Sequence, residues 1–117
     1  METQFDSAKS IKSIVDTYGP EVAREVVQIF VTDYASKLQK LKNGIEEGNV
    51  EIIRFQAHDI KSGCLSMGVK PMSDICEKIE RHSESLSREQ LKEMSVDLEK
   101  YYTEISREYG SYLNRTH

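Results

Sequence analysis

Apolar residues recur along this chain every three or four positions, the spacing of helices with one buried face. The longest series advances by 4, 3, 4, 4, 3 and 4 residues: Ala23, Val27, Phe30, Tyr34, Leu38, Leu41 and Ile45. A second series follows: Val50, Ile53, Ala57, Ile60, Cys64 and Met67. The last series is Leu91, Met94, Leu98, Tyr101, Ile105, Tyr109 and Tyr112. Because no window alternates apolar and polar residues as a half-buried strand does, the pattern predicts an all-α chain.

Glycine, proline and polar residues interrupt these series and predict the ends of the helices. The interruptions are Gly19-Pro20, Gly48-Asn49, Gly68 with Pro71, and Ser83-Glu84-Ser85. Ser87, with Gln90 three residues later, predicts a capping box that begins the last helix. Four substantial helices therefore follow one short N-terminal helix. The short connections predict antiparallel neighbours, as in an up-down four-helix bundle.

Length and composition narrow the class of protein. A chain of 117 residues predicts a single domain over 1–117. Sixteen Lys and Arg against twenty Asp and Glu give a net charge of -4, which disfavours a non-specific nucleic-acid binder. No apolar run approaches the roughly 20 residues that span a bilayer, and no signal-peptide pattern is present. Cys64 and Cys76 form no disulfide framework, so we expect a cytoplasmic chain with reduced thiols.

One histidine in the third helix points away from the predicted core. At 100° per residue, His58 lies about 130° from the centre of the apolar face. Five further side chains occupy the same outer surface: Arg54, Phe55, Lys61, Ser62 and Leu65. An exposed neutral imidazole is a competent nucleophile near neutral pH. Lys61 and Arg54 are placed to offset the charge of a phosphoryl group.

The same surface lacks the parts that drive chemistry by themselves. No base-and-orienter triad, phosphate-binding glycine loop or metal cage accompanies His58 in the sequence. We therefore expect a site that receives and donates a group rather than an enzyme. By spacing alone, His58 also fits an ordinary surface histidine.

The segment from Ala57 to Gly68, AHDIKSGCLSMG, resembles the signature of histidine-containing phosphotransfer (HPt) domains. That signature reads Ala-His-x-Leu-Lys-Gly-Ser, then a few small or apolar residues, then Gly. The positions that match are Ala57, His58, Lys61 and Gly68, with Ile60 as a conservative match. The later segment from Ile75 to Glu80 resembles the family's next helix, which often reads Leu-Cys-x-x-Leu-Glu.

The resemblance implies a four-helix bundle with a short extra helix, and a phosphorelay function. It implies that His58 accepts a phosphoryl group from an aspartyl phosphate on a response-regulator receiver domain and passes it to another. Lys61 is then the phosphate-stabilising cation. The implied docking surface comprises Arg54, Phe55, Ser62 and Leu65.

The partners implied are receiver domains and a hybrid histidine kinase, with no nucleic acid and no membrane, and we expect a monomer. No kinase activity and no cofactor are expected on this chain, because Mg²⁺ belongs to the receiver domain.

One departure from the signature lies directly beside the phosphoacceptor position. The family usually has Gly and then Ser after the lysine, whereas this chain has Ser62 and then Gly63. The family's glycine is thought to let the partner domain approach, so the departure bears on access to His58.

Two alternative functions compete with the phosphorelay function. The first is a non-phosphorylated helical adaptor that only docks a signalling partner through Phe55 and Leu65. The second is a metal-dependent function. A metal site formed by Cys64, Cys76 and His58 is disfavoured, because His58 faces away from the two cysteines. A di-metal enzyme in a bundle core needs Glu-x-x-His pairs, and none occurs.

Overall fold

The computed structural model describes residues 5–115, which form five α-helices and no strand. The helices are α1 (Ser7–Tyr18), α2 (Pro20–Glu47), α3 (Val50–Met67), α4 (Lys70–His82) and α5 (Arg88–Arg115). The prediction of an all-α chain with one short first helix is confirmed. Within the described residues, none of the helices has the length and apolar character needed to cross a membrane.

The helix ends follow from residues with special backbone or side-chain properties. Gly48 ends α2 with φ +67°, a left-handed conformation that glycine adopts without a Cβ clash. Asn49 then caps α3, because its Oδ1 accepts the Ile52 N–H at 3.1 Å. The predicted capping box is confirmed: the Ser87 N–H donates to Gln90 Oε1 at 2.9 Å, and the Gln90 N–H donates to Ser87 Oγ at 3.1 Å.

The helices enclose one apolar core. α2 and α4 each pack against both α3 and α5, while α1 packs mainly on α2. The Phe30 ring lies at the centre of the aromatic part of the core, with ring centroids 4.9 Å from Tyr34, 5.2 Å from Tyr102 and 5.2 Å from Tyr109. Cys64 and the other residues of the α3 series are buried, apart from the first, half-buried Val50.

The predicted apolar series of α5 is wrong at two positions of its second half, although Ile105 and Tyr109 are buried as expected. Tyr102 and Leu113 are buried there, whereas Tyr101 and Tyr112 are only half-buried. The buried face advances by four residues from Leu98 to Tyr102, because the Tyr102 hydroxyl donates to the Val31 carbonyl of α2 at 2.7 Å. A buried tyrosine is stable where its hydroxyl has such a partner. Aromatic residues at both 101 and 102 made the series ambiguous in the sequence.

The short helix α1 forms a hydrogen bond with the C-terminal end of α3. The Ser10 hydroxyl in α1 donates to the Met67 carbonyl at 2.6 Å and lies 2.8 Å from the Tyr109 hydroxyl of α5. All three groups are buried, and buried polar groups are costly unless they are paired. This contact joins α1 and α5 to the C-terminal end of α3, and so helps to fix the helix that carries His58.

Candidate functional site

His58 lies on the outer side of α3, and 61% of its side chain is exposed. The helix places it there because the neighbouring Ala57 and Ile60 are fully buried against the core. The ring is nevertheless held in place. Its Nδ1 lies 2.9 Å from Oε2 of Glu80, which projects from α4.

The contact with Glu80 determines which ring nitrogen of His58 is free. A carboxylate can only accept a hydrogen bond, so Nδ1 donates and carries the proton. In the neutral ring, Nε2 then keeps its lone pair. The Lys61 ammonium, and secondarily the His58 ring, hold the pKa of Glu80 below its usual value. The arrangement is an exposed imidazole with a fixed tautomer and a free nucleophilic nitrogen.

The sequence shows no base-and-orienter triad around His58, and the structure adds an orienting residue that the sequence analysis did not name. Glu80 is the residue of this cluster that the sequence analysis does not name, although the sequence carries a signal for it. It is the final glutamate of the Ile75-to-Glu80 segment that resembles the family's next helix. Glu77 lies three residues earlier, so the two carboxylates share one side of α4.

Lys61 lies in the seam between α3 and α4, and only 18% of its side chain is exposed. Its Nζ is 2.7 Å from Glu80 Oε1, an ion pair without hydrogen-bond geometry, and 3.0 Å from Glu77 Oε1. Glu77 Oε2 is also 2.9 Å from the Arg81 guanidinium. The two glutamates raise the pKa of Lys61, Glu80 more than Glu77. Lys61 and His58 are thus joined through the two oxygens of Glu80.

Arg54 does not lie free beside His58 as its sequence position suggests. Its Nε donates to Ser83 Oγ at 3.0 Å, and a terminal guanidinium nitrogen lies 3.2 Å from Glu84. Both partners belong to the connection between α4 and α5. The structure therefore directs the Arg54 guanidinium away from the imidazole.

Two apolar side chains lie open to solvent on the same face of α3. Phe55 is 65% exposed and Leu65 is 63% exposed, one on either side of His58 along the helix. Ser62 is exposed between them, one turn after His58. Large apolar side chains grouped on a polar surface are typical of interaction sites.

The order of Ser62 and Gly63 has a structural cause. Gly63 faces α2, where a Cβ at this position would lie 1.4 Å from the Tyr34 hydroxyl oxygen and 2.7 Å from Tyr34 Cζ. A residue with a side chain cannot occupy position 63 while Tyr34 keeps its place. Next to this contact, Lys37 of α2 forms an ion pair with Asp59 of α3.

The two cysteines lie apart from the site chemistry. Cys64 and Cys76 are fully buried and not bonded to each other. Burial raises the pKa of Cys76 to about 12, and it raises the pKa of Cys64 as well. A thiol that stays protonated is a poor nucleophile or metal ligand. Among the residues that the structure describes, no three His, Cys, Asp or Glu side chains are grouped to hold a metal ion.

Comparison with known proteins identifies the family. Residues 25–108, more than half of the chain, match the Hpt domain family. The chain therefore belongs to the Hpt domain family, whose members are phosphocarrier modules that work with histidine kinases and response regulators. This membership supports a role in histidine phosphotransfer within a phosphorelay.

A solved structure agrees with this fold. The crystal structure of histidine-containing phosphotransfer protein B (HptB) from Pseudomonas aeruginosa superposes with a TM-score of 0.82, covering 93% of this chain and 94% of that chain. The sequences are 17% identical, so this likeness shows the fold alone. Among curated proteins, none matches the sequence significantly.

Proposed function

We propose that His58 is the phosphoacceptor of a phosphorelay and that it exchanges a phosphoryl group reversibly with receiver domains. The observation that carries the proposal is the geometry of the imidazole in a member of this family. His58 is exposed to a partner, and Glu80 holds its Nδ1 proton so that Nε2 is free to react.

In the proposed reaction, His58 Nε2 attacks the phosphorus of an aspartyl phosphate on the receiver. The Nε2–P bond forms, the bond from the aspartate oxygen to phosphorus breaks, and the aspartate carboxylate leaves with the electron pair. The Nδ1 proton stays on the ring, and Glu80 Oε2 continues to accept its hydrogen bond. Return of the group to an aspartate reverses each of these changes.

Lys61 stabilises the phosphoryl group, and the exposed surface of α3 binds the receiver. Lys61 offsets the negative charge of the phosphoryl group. The receiver docks over Phe55, Ser62 and Leu65, with Arg54 at the edge of the contact. The receiver brings the Mg²⁺ and the acidic pocket, so this chain needs no cofactor and no kinase activity of its own.

The proposal includes the cellular setting and the assembly of the chain. A hybrid histidine kinase and response regulators are the proposed partners, and the chain acts as a monomer in the cytoplasm. Its buried, unbonded thiols are typical of a reducing compartment.

We further propose that residues 1–117 form one domain in which α2 to α5 run up and down in turn. Cross-helix contacts support this order. Arg24, early in α2, donates to the Leu113 carbonyl late in α5, and Tyr34, in the middle of α2, lies against Gly63 in the second half of α3. Further along α2, Lys42 contacts Glu99, which comes earlier in α5.

The test is transfer of labelled phosphate from a phosphorylated receiver domain to the purified chain. His58→Gln is expected to abolish acid-labile labelling, while His82→Gln, the same change at another exposed histidine, is expected to label like the wild type. Helical content should remain unchanged in both, because surface substitutions usually change stability by under about 0.5 kcal/mol. Labelling of the His58→Gln variant would contradict the proposal. A wild-type chain that binds the receiver without labelling would instead favour the adaptor function.

A further inference from the structure

The cation nearest the proposed phosphoacceptor is held by two carboxylates before any phosphate arrives. Lys61 Nζ contacts both Glu77 and Glu80 within 3.0 Å, and most of its side chain is covered. A phosphoryl group on His58 Nε2 therefore meets a lysine whose charge is already neutralised. To face the phosphoryl group, Lys61 has to leave at least one of its carboxylate partners.

The two carboxylates differ in what else they do. Glu80 also holds the His58 ring, so a change at Glu80 disturbs the nucleophile itself. Glu77 contacts Lys61 and Arg81, and none of its polar contacts is with His58. Because Arg81 lies 2.9 Å from Glu77 Oε2, Glu77 keeps a cationic partner after Lys61 departs. Exchange of Lys61 away from Glu77 therefore leaves both carboxylates with a partner and leaves the contact between Glu80 and the imidazole undisturbed.

We propose that Glu77 is a positioning residue that competes with the phosphoryl group for Lys61. This competition weakens the hold of the chain on the phosphoryl group and so favours its transfer from His58 to a receiver aspartate. The inference rests on the proposed function and adds a regulatory element to that site.

The charges around His58 support a competition of this kind. Lys61 and Arg81 balance Glu77 and Glu80, so the four side chains sum to zero before transfer. Transfer puts a phosphoryl group of about -1.5 to -2 charge on Nε2. Because the Nδ1 proton stays, the ring becomes formally cationic, so the chain gains roughly one negative charge in all. The added group favours any rearrangement that turns Lys61 towards it, and the negative charge of Glu77 opposes that rearrangement.

Removal of this negative charge is expected to shift the transfer equilibrium towards phosphorylated His58. The transfer equilibrium constant, measured with one phosphorylated receiver domain, should rise about two- to fivefold in Glu77→Gln, the range that a partly exposed ion pair supplies. Glutamine keeps the shape and an acceptor oxygen but has no charge.

Two further variants of the chain distinguish competition for Lys61 from a general effect of the lost negative charge. Asp74→Asn removes the same charge from α4, but the partner of Asp74 is Lys70, so the equilibrium constant should remain that of the wild type. In a Lys61→Ala background, Glu77→Gln should add no further change. Equal helical content of all the proteins, measured by circular dichroism, shows that the comparison is between folded chains.

The outcomes distinguish this inference from the proposed function. A wild-type chain that takes up no phosphate contradicts both. If the wild type is labelled on His58 but Glu77→Gln has the same equilibrium constant, the inference is overturned and the function stands. A rise in Asp74→Asn, or an effect of Glu77→Gln without Lys61, also overturns the inference, because the shift is then a bulk charge effect.

Discussion

A substitution at Gly63 tests whether the contact between α2 and α3 sets the local sequence beside His58. In an ordinary helix interior, Gly→Ala stabilises by about 0.8–1.0 kcal/mol, because alanine is the better helix former. Here the added Cβ would lie 1.4 Å from the Tyr34 hydroxyl oxygen and 2.7 Å from Cζ. We therefore expect Gly63→Ala to destabilise the fold.

The magnitude follows from how far Tyr34 has to move. Carbon and oxygen atoms in contact are about 3.5 Å apart, so the hydroxyl must shift by about 2 Å. Tyr34 is buried, and its ring centroid lies 4.9 Å from that of Phe30, which leaves little room. Overpacking of this kind costs about 1–3 kcal/mol, and so severe an overlap belongs at the upper end. After the helix gain is subtracted, the expected net loss is about 2 kcal/mol.

Thermal unfolding with a double-mutant cycle measures this effect. A loss of about 2 kcal/mol in a chain of this size lowers Tm by roughly 6–10 °C. In a Tyr34→Leu background, the overlapping ring atoms are gone, so Gly63→Ala should be neutral or stabilising by up to about 1 kcal/mol. An increase of Tm on Gly63→Ala with Tyr34 present would refute the reasoning, since Tyr34 would then lie farther from Gly63 than the structure shows.

Three more expectations concern the site. Lys61→Ala should lower the equilibrium constant for phosphorylation of His58 about tenfold, measured by transfer from a labelled receiver. A hydrogen bond to a charged group is worth about 1.5–3 kcal/mol, and the two glutamates offset part of this energy. Unchanged transfer contradicts the proposed contact. Ser62→Trp should slow transfer by obstructing docking, whereas Ser62→Gly should transfer at least as fast and lose about 0.5–1 kcal/mol of stability; wild-type speed in the tryptophan variant places the docking surface elsewhere. The pKa values of Glu77 and Glu80 are lowered in the folded state, so their stabilising effect is complete above the ordinary value of 4.5 and is lost as pH falls below it. Urea unfolding at about pH 7 and pH 3.5 should show a smaller acid loss in Lys61→Ala than in the wild type, and equal losses would exclude this ion-pair origin.

Local rules predicted most of the helix boundaries. The glycines at 48 and 68 end α2 and α3 in left-handed conformations, and Ser87 with Gln90 forms the expected cap. Each of these signals acts within a few residues, so the sequence contains the whole cause. The failure at Tyr101 and Tyr102 has a different origin. Both are aromatic, and the choice between them is made by a carbonyl of α2 some seventy residues away in sequence.

The site shows the same division between local and distant causes. The direction of His58 follows from the period of α3 alone, and it was predictable. The pairing of His58 and Lys61 with Glu80 depends on how α4 packs against α3, and no spacing within one helix shows that. Likewise, the period of α3 predicts Arg54 beside the imidazole, yet Ser83 and Glu84 of the connection between α4 and α5 bind its guanidinium. A helical wheel gives the direction of a side chain's base but not the end point of a long cationic chain.

Glu80 connects the proposed nucleophile, His58, to the proposed phosphate-stabilising cation, Lys61, and in the proposed reaction this sharing favours transfer in both directions. The carboxylate holds the His58 ring on one oxygen and Lys61 on the other. In the proposed reaction, the first contact favours attack because it leaves Nε2 free. The second weakens the product, because it draws Lys61 away from the phosphoryl group. A free lysine beside His58 would hold the phosphoryl group more tightly and make its return to an aspartate less favourable.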